Sequence, residues 1–365
     1  MPQDPGASSP AVVDRHRVLG RGWRLGIGVA ILGLLAVLVS PLIGPVPIPP
    51  EVVLRILFGV ANPCAGYASH AYSCVAAPTI VWDVRIPEIL LGLIAGAALG
   101  ISGAGLQGVF RNPLADPFLL GISSGATLGA SVVLVFQFGI READLFLPFF
   151  AFLGAAGTGT VVVLLARNRY GSVETLLLGG VAIAAFLSAA DALVLLYNPE
   201  LGLQVSDWLL GGLGSASWSV DAIALSLVVV FGSVLALYGP ELNLIQLGND
   251  VAQSAGVATT RVRVTVILLA SVVTAAAVAF TGIIGFVGLV APHVIRRTVG
   301  TDYRFVLGGS AITGAAFLLA ARDASILAFP TSELPIGIFT AFAGVPFFLY
   351  LLYRQSRVVT MGAGS

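Results

Sequence analysis

Runs of about 20 apolar residues recur almost from end to end of this chain, and that recurrence decides what it can fold into. A bilayer's hydrocarbon core is about 30 Å thick, so a spanning helix needs about 20 apolar residues. Ten such runs are readable, at roughly 25–44, 87–109, 118–139, 147–166, 173–197, 219–238, 263–281, 284–297, 305–323 and 335–353. In lipid every backbone N–H and C=O has to be satisfied within the protein. Barrel strands would alternate in segments of about ten residues; these runs do not alternate, so they are read as helices. The eighth run is short, and Gly282, Gly285 and Gly288 crowd its start, which predicts a broken or half-length helix. The expected fold class is an all-α polytopic membrane protein of about ten transmembrane helices.

Composition narrows the function. Of 365 residues, 57% are apolar and only 10% charged, with a mean hydropathy of +0.99. Soluble domains carry about 25% charged residues, so a soluble enzyme and a disordered chain are both excluded. Eighteen positive residues balance eighteen negative ones. Nucleic acid is therefore not a partner, because nothing is left over to neutralise phosphates. All eighteen positive residues are arginine. Without lysine there is no Schiff-base chemistry and no G-x-x-x-x-G-K-[ST] phosphate loop. Whatever drives this protein, it does not bind ATP through a P-loop of its own. His16, His70 and His293 and the two cysteines show no C-x-x-C or H-x-x-x-H spacing, so no metal site is expected. No paired intramembrane acids suggest a protease.

The organisation follows from the polar segments. Residues 1–23 form a polar lead with Pro2, Pro5 and Pro10, read as a cytoplasmic tail. A signal peptide's apolar core is about 7–15 residues; the first run here is longer, so it is read as a retained helix. Residues 24–355 form the membrane domain and 356–365 a second tail. With the N-terminus cytoplasmic, 14 arginines fall on inner loops, and Arg55, Arg85, Arg141 and Arg322 fall outside. The opposite orientation inverts that split, so both termini are placed in the cytoplasm. Two loops are longer than a connection needs. Residues 45–86 lie outside and hold Cys64 and Cys74, for which a disulfide is the expectation and two unpaired thiols the alternative. Residues 239–262 lie inside. There Leu247, Val251, Ala252 and Ala255 share one helical face and Asn249, Asp250 and Gln253 the other, giving a helix that lies in the headgroups or docks a partner.

Few residues inside the runs carry chemistry. Gly92, Gly96, Gly100, Ala104 and Gly108 recur every four residues in the second run, a stripe that lets helices approach closely. Intramembrane charges are costly and are functional candidates by default. Asp191, in the outer half of the fifth run, is a candidate pathway charge; Arg322 and Asp323, near the outer end of the ninth, are a local ion pair or a polar mouth. The scarcity of such acids argues against a self-sufficient secondary transporter.

Longer strings are more specific. Residues Arg111 to Pro117 (RNPLADP), followed by Leu119 to Ala126 (LLGISSGA), resemble the hallmark of one family. It is the permease subunit of binding-protein-dependent ABC importers for iron–siderophore, haem and cobalamin. Similar strings follow in order: Trp82 to Pro87 (WDVRIP), Trp208 to Gly212 (WLLGG), Ile284 to Arg296 (IGFVGLVAPHVIR) and Glu333 to Gly337 (ELPIG). The resemblance covers roughly residues 20–355.

That resemblance implies a homodimer of ten-helix subunits in the cytoplasmic (inner) membrane. Two ABC ATPase subunits bind inside and use ATP and Mg, a substrate-binding protein docks outside, and this chain binds no cofactor itself. Carried over position by position, the loop Leu242 to Val257 matches the coupling helices, with Leu247, Gly248, Ala252 and Gly256 at the ATPase contact. Gly171, Ser172, Val173 and Glu174 resemble the inner gate. Arg85 matches the first docking arginine of the R-x-P-R pattern, while the second position is Glu88, a sign change. Arg322 stands one turn from the position, Ile326, where a further docking arginine falls. The run Ser206 to Trp218 resembles iron-chelate members more than cobalamin members, so an iron complex is the expected cargo and cobalamin the alternative.

Overall fold

The computed structural model describes residues 28, 31, 33–60, 62–64, 72–136, 143–167, 173–330 and 334–362. Among them there are helices and turns and no strand. Each of the ten apolar runs holds a helix. These are α1 (Gly33–Leu42), α4 (Ile86–Phe110), α5 (Ile122–Phe136), α6 (Ala143–Arg167), α7 (Val173–Tyr197), α9 (Trp218–Ala236), α12 (Thr259–Thr281), α13 (Val287–Thr298), α14 (Tyr303–Ala328) and α15 (Ile336–Gly362). Among the described residues, six apolar helices are long enough to cross a bilayer: Val75–Phe110, Leu145–Leu165, Thr175–Tyr197, Trp218–Ala236, Thr259–Thr281 and Tyr303–Ala328.

Five further short helices lie between the runs: α2 (Pro50–Leu57), α3 (Tyr72–Thr79), α8 (Gly202–Leu209), α10 (Gly239–Leu247) and α11 (Asn249–Ser254). The segment read as a loop at 45–86 is thus largely structured. In it α2 buries Val52, Val53 and Ile56 against Ala77 and Val81 in a small core of its own. A wide π-turn at Ile80–Arg85 then joins α3 to α4. That turn stands just before Pro87, whose ring clashes with the carbonyl four residues back in an ordinary helix. At the other terminus α15 continues to Gly362, into the segment read as a tail.

Helix α4 is the axis of the bundle. In the apolar window of Val75–Phe110, 83% of the residues are buried, against 11% for Thr175–Tyr197. The main core wraps α4 with α14, α13, α12 and α9, and a second layer of α5 and α6 packs on α12. Lipid offers no hydrophobic reward for helix association, so close van der Waals contact has to hold this together. The glycine stripe supplies it. A Cβ at Gly96 would overlap the Gly314 carbonyl of α14, and one at Gly100 the Ser310 carbonyl. Off the stripe, Gly103 meets Gly288 of α13 in the same way. A second seam, not singled out from the sequence, sets Gly125 and Gly129 of α5 against Gly154 and Phe150 of α6.

The eighth run behaves as its glycines suggest. Helix α13 has 12 residues, about 18 Å at 1.5 Å per residue, short of a bilayer. The stretch before it is irregular, with Gly282 at φ +66° and Phe286 at φ +68°. Its polar groups are met by neighbours: the Gly212 N–H donates to the Thr281 carbonyl at 2.8 Å, and the Gly337 N–H reaches Gly211 O at 3.4 Å. The WLLGG, IGFVGL and ELPIG strings therefore meet at one junction.

Backbone contact leaves no room for a side chain at the α4–α14 seam. We expect Gly96→Val to lower stability by about 1–3 kcal/mol, read as thermal unfolding in detergent. Gly157→Ala, where a Cβ meets nothing within 4 Å, should stay within about 0.5 kcal/mol of the parent.

Candidate functional site

The functional residues gather at the two ends of the bundle. At the end where α4 finishes, α10 is seated by Leu242 and Ile245, both fully buried. The seat on α4 is Gly108, where a Cβ would stand 3.1 Å from a Leu242 methyl. Gln246 Nε2 donates to the Gly108 carbonyl at 2.7 Å. Asn243 clamps the other side: its Nδ2 donates to Asp302 Oδ1 at 2.7 Å and its Oδ1 accepts the Tyr303 N–H at 2.8 Å.

The segment is two short helices rather than one amphipathic helix. Gly248, at φ +127°, turns α10 into α11, and Gly256 at φ +85° ends the motif. Both glycines are explained by a backbone that L side chains rarely adopt. Leu247 and Val251 stand out, 68% and 46% exposed, whereas Ala252 is fully buried and anchors the motif from beneath. Of the four expected contact positions, Leu247 and Gly256 face outward, Gly248 is half-buried and Ala252 is inside.

Beside α10 lies a cavity of about 570 Å³, lined by Gln107, Arg111, Arg296, Asp302 and Tyr303 among others. Gln107 ties α4 to the Ile284–Arg296 motif at two points. Its Nε2 donates to the Gly288 carbonyl at 3.0 Å, and its Oε1 accepts from Arg296 Nη2. Asp302 caps α14 by accepting the Arg304 N–H at 3.0 Å and pairs with the Arg304 guanidinium at 2.8 Å. The bonds from Arg304 and then Asn243 hold its carboxyl down at about 2.

At the opposite end the charged residues form a buried network. Arg322 Nη2 pairs with Glu88 Oε2 at 2.7 Å and Nη1 with Asp323 Oδ1 at 2.9 Å. Ser40 Oγ donates to the same Asp323 oxygen at 2.7 Å and accepts from Arg322 Nη1 at 3.2 Å. Arg85 donates to the carbonyls of Pro41, at 3.1 Å, and Val46. A Cβ at Gly44 would fall on the Arg85 guanidinium. Arg85 and Arg322 are each only 2% exposed. Neither presents its charge outward as a docking arginine would; carboxylates and carbonyls from α1, α4 and α14 draw both inward. Glu88 and Arg322 do line a cavity of about 350 Å³ with Asp207 and the Gly211–Gly214 turn. The pairing of Glu88 with Arg322 links residues 234 apart in sequence, a distance across which no local pattern signals it.

Asp191 lies on α7, 9% exposed, with one carboxylate oxygen buried and unbonded among the described residues. Ser188, one turn away, pairs with Ser124 at 3.2 Å. Of the inner-gate residues, Gly171 and Ser172 and the side chains of Val173 and Glu174 lie outside the described residues. Cys64 packs at the edge of the small Val52–Val53 core; the Cys74 side chain is outside the described residues. No group of three potential metal ligands occurs among the described residues.

An apolar helix bundle with a rigid polar motif at one end defines a multi-pass membrane protein. Residues 31–354 match the FecCD transport family, and the chain belongs to it, as its motifs suggested. The hemin transport system permease of Yersinia pestis is 39% identical over 75% of this chain and 84% of its own length. The cobalamin import system permease of Halobacterium salinarum is also 39% identical, over 90% and 95%. A Fe(3+)-citrate import system permease of Bacillus subtilis is 35% identical over 91% and 96%. Among solved structures, a metal-chelate type ABC transporter in an inward-facing conformation superposes with a TM-score of 0.74 at 28% identity, covering 91% of this chain and 99% of that one.

Two predictions test the ends. Arg322→Ala strands two carboxylates in a buried site and should cost about 3–5 kcal/mol, measured as thermal unfolding; adding Glu88→Gln should recover part of the loss. Asp302 has its carboxyl lowered from 3.8 to about 2, so its stabilisation is complete above about pH 4 and is lost as pH falls through 2. Asp302→Asn should therefore unfold earlier than the parent at neutral pH, with the gap closing as the pH drops from about 4 toward 2.

Proposed function

We propose that this chain is the permease subunit of an ATP-driven importer for a bulky iron complex, a ferric siderophore or haem. The family match across 31–354 carries this reading, because relatives named for such cargo align over nearly their whole length. Cobalamin is the second reading, favoured by the Halobacterium salinarum relative, which matches 90% of the chain.

In this reading the chain spans the inner membrane ten times with both termini in the cytoplasm. The α10–α11 motif then faces inward and the Glu88–Arg322 network lies at the outer end. Two copies form the pathway, and the sparsely covered α7 is the surface that suits it, with the buried Asp191 as its candidate charge. Leu247 and Val251 are the apolar anchors for a separate ATPase subunit, with Gly248 and Gly256 shaping the motif and Ala252 fixing it to the bundle. Gly171 to Glu174, at the inner start of α7, close the pathway. A binding protein docks outside on the rim around Glu88, above the buried arginines. Cys64 and Cys74 pair to brace the 45–86 segment. ATP binding closes the ATPases and moves the α10–α11 motif. Because Asn243 and Gln246 tie that motif to α14 and α4, its displacement tilts those helices and alternates access. This chain makes and breaks no covalent bond.

The test is uptake into liposomes holding the chain with its ATPase and binding protein, offered ferric siderophore, haem and cobalamin in parallel. ATP-dependent uptake of an iron complex is expected. Leu247→Asp with Val251→Asp should cut it at least tenfold while leaving the unfolding temperature unchanged, since both side chains are exposed. Uptake without the ATPase would overturn the reading.

A further inference from the structure

Helix α4 ends in a way that is unfavourable for the residue it uses. Arg111 caps it at φ +50°, its N–H bonded to Gln107 O. This left-handed position is the one glycine fills without strain. Arg111 and Phe286 are the two non-glycine residues with positive φ among the described residues. A strained arginine is understandable if its side chain is needed where that backbone aims it. It borders the 570 Å³ cavity beside α10, with Gln107, Asn243, Leu247, Arg296 and Asp302.

That cavity holds more positive charge than its own acids answer. Arg111 is exposed, and no hydrogen bond or ion pair among the described residues engages its guanidinium. Arg296 gives Nη2 to Gln107 and also bonds the Tyr303 side chain, but its Nη1 is buried and unbonded. Arg263, held by Asn249 at 2.6 Å, has its Nε buried and unbonded and stands close enough to Arg111 for the two charges to repel. Asp302 is the acid in the lining, and Arg304 and Asn243 already occupy it. Buried N–H groups are satisfied in the great majority of native structures, so the unbonded Arg296 Nη1, beside an exposed Arg111 that no acid among the described residues engages, marks an anion that this chain does not supply.

We propose that this cavity is a socket for a carboxylate side chain of the ATPase subunit, received by Arg111 and Arg296. The proposal rests on the importer reading and adds a polar lock to its apolar anchors. A planar carboxylate matches the guanidinium fork. The site opens under the end of α4, the most enclosed of the candidate spans, so it sits toward the middle of the bundle end rather than at its lipid-facing rim. Exposed Leu247 borders it, which places the socket and the apolar anchor under one partner.

The absence of lysine from this chain gives a specific probe. Arg111→Lys keeps the charge and introduces the only side-chain amine. With the chain in nanodiscs and its ATPase bound, a zero-length carbodiimide should join position 111 to an Asp or Glu of the ATPase, identified by mass spectrometry of the linked peptides. In parallel, Arg111→Gly removes the charge while suiting the backbone. Its fold should be intact by thermal unfolding, and its affinity for the ATPase should fall about tenfold to a hundredfold, whereas Arg111→Lys should stay within about threefold. Parent-like affinity of Arg111→Gly would overturn the socket. So would linkage of position 111 only to a carboxylate of this chain, or to a phosphatidylserine headgroup. If the unaltered chain binds no ATPase at all, the importer reading fails, and the socket with it.

Discussion

Backbone-to-backbone contact along α4 is the constraint on which the rest of this bundle depends. In lipid, apolar side chains gain little by meeting one another, and association comes from close packing instead. Gly96 and Gly100 meet Gly314 and Ser310 on one side, and Gly103 meets Gly288 on another. Those approaches bring α14 and α13 against α4 at near-minimal separation. Everything polar at the two ends is then positioned by where these helices start and stop.

At one end the seam aligns the first turn of α4 with the last turns of α14, so that Glu88 pairs with Arg322, and Asp323 and Ser40 complete the set. Two buried ion pairs sharing one guanidinium do little for net stability, because desolvation offsets much of their attraction. They do penalise any arrangement in which these helices slide, since each displaced charge would stand alone. At the other end the seam brings the RNPLADP turn under the APHVIR helix and α10. Gln107 ties the end of α4 to α13 at Gly288 and Arg296, and Gln246 fastens α10 to α4. A glycine-packed axis with a charged network at one end and a hydrogen-bonded motif at the other suits the externally driven motion proposed above.

How much of the candidate site could be read beforehand differs residue by residue. Leu247 and Gly256 lie on the accessible surface, but Ala252 faces inward, because Gly248 splits the expected helix and rotates the second half. Arg85 and Arg322 carry the residue type a docking surface needs, yet their partners lie on α1 and α4. Nothing near them in sequence says that a proline carbonyl or a glutamate 234 residues away will claim them. The structured 45–86 segment was also hidden, since its helices are short and its small core is made of side chains from separate turns.

The sequence by itself determined that this chain lives in a bilayer, that it is helical, where its ten apolar runs lie and that the eighth is short. Those properties follow from local hydropathy and from glycine's backbone freedom, which neighbours do not alter. Its motifs likewise carried the family, because they are long and ordered. Which helix is central, which arginines are buried, and which guanidinium nitrogens remain unbonded were decided only by the tertiary structure. Burial and pairing depend on contacts between segments hundreds of residues apart, and a linear pattern with a period of a few residues holds no record of them.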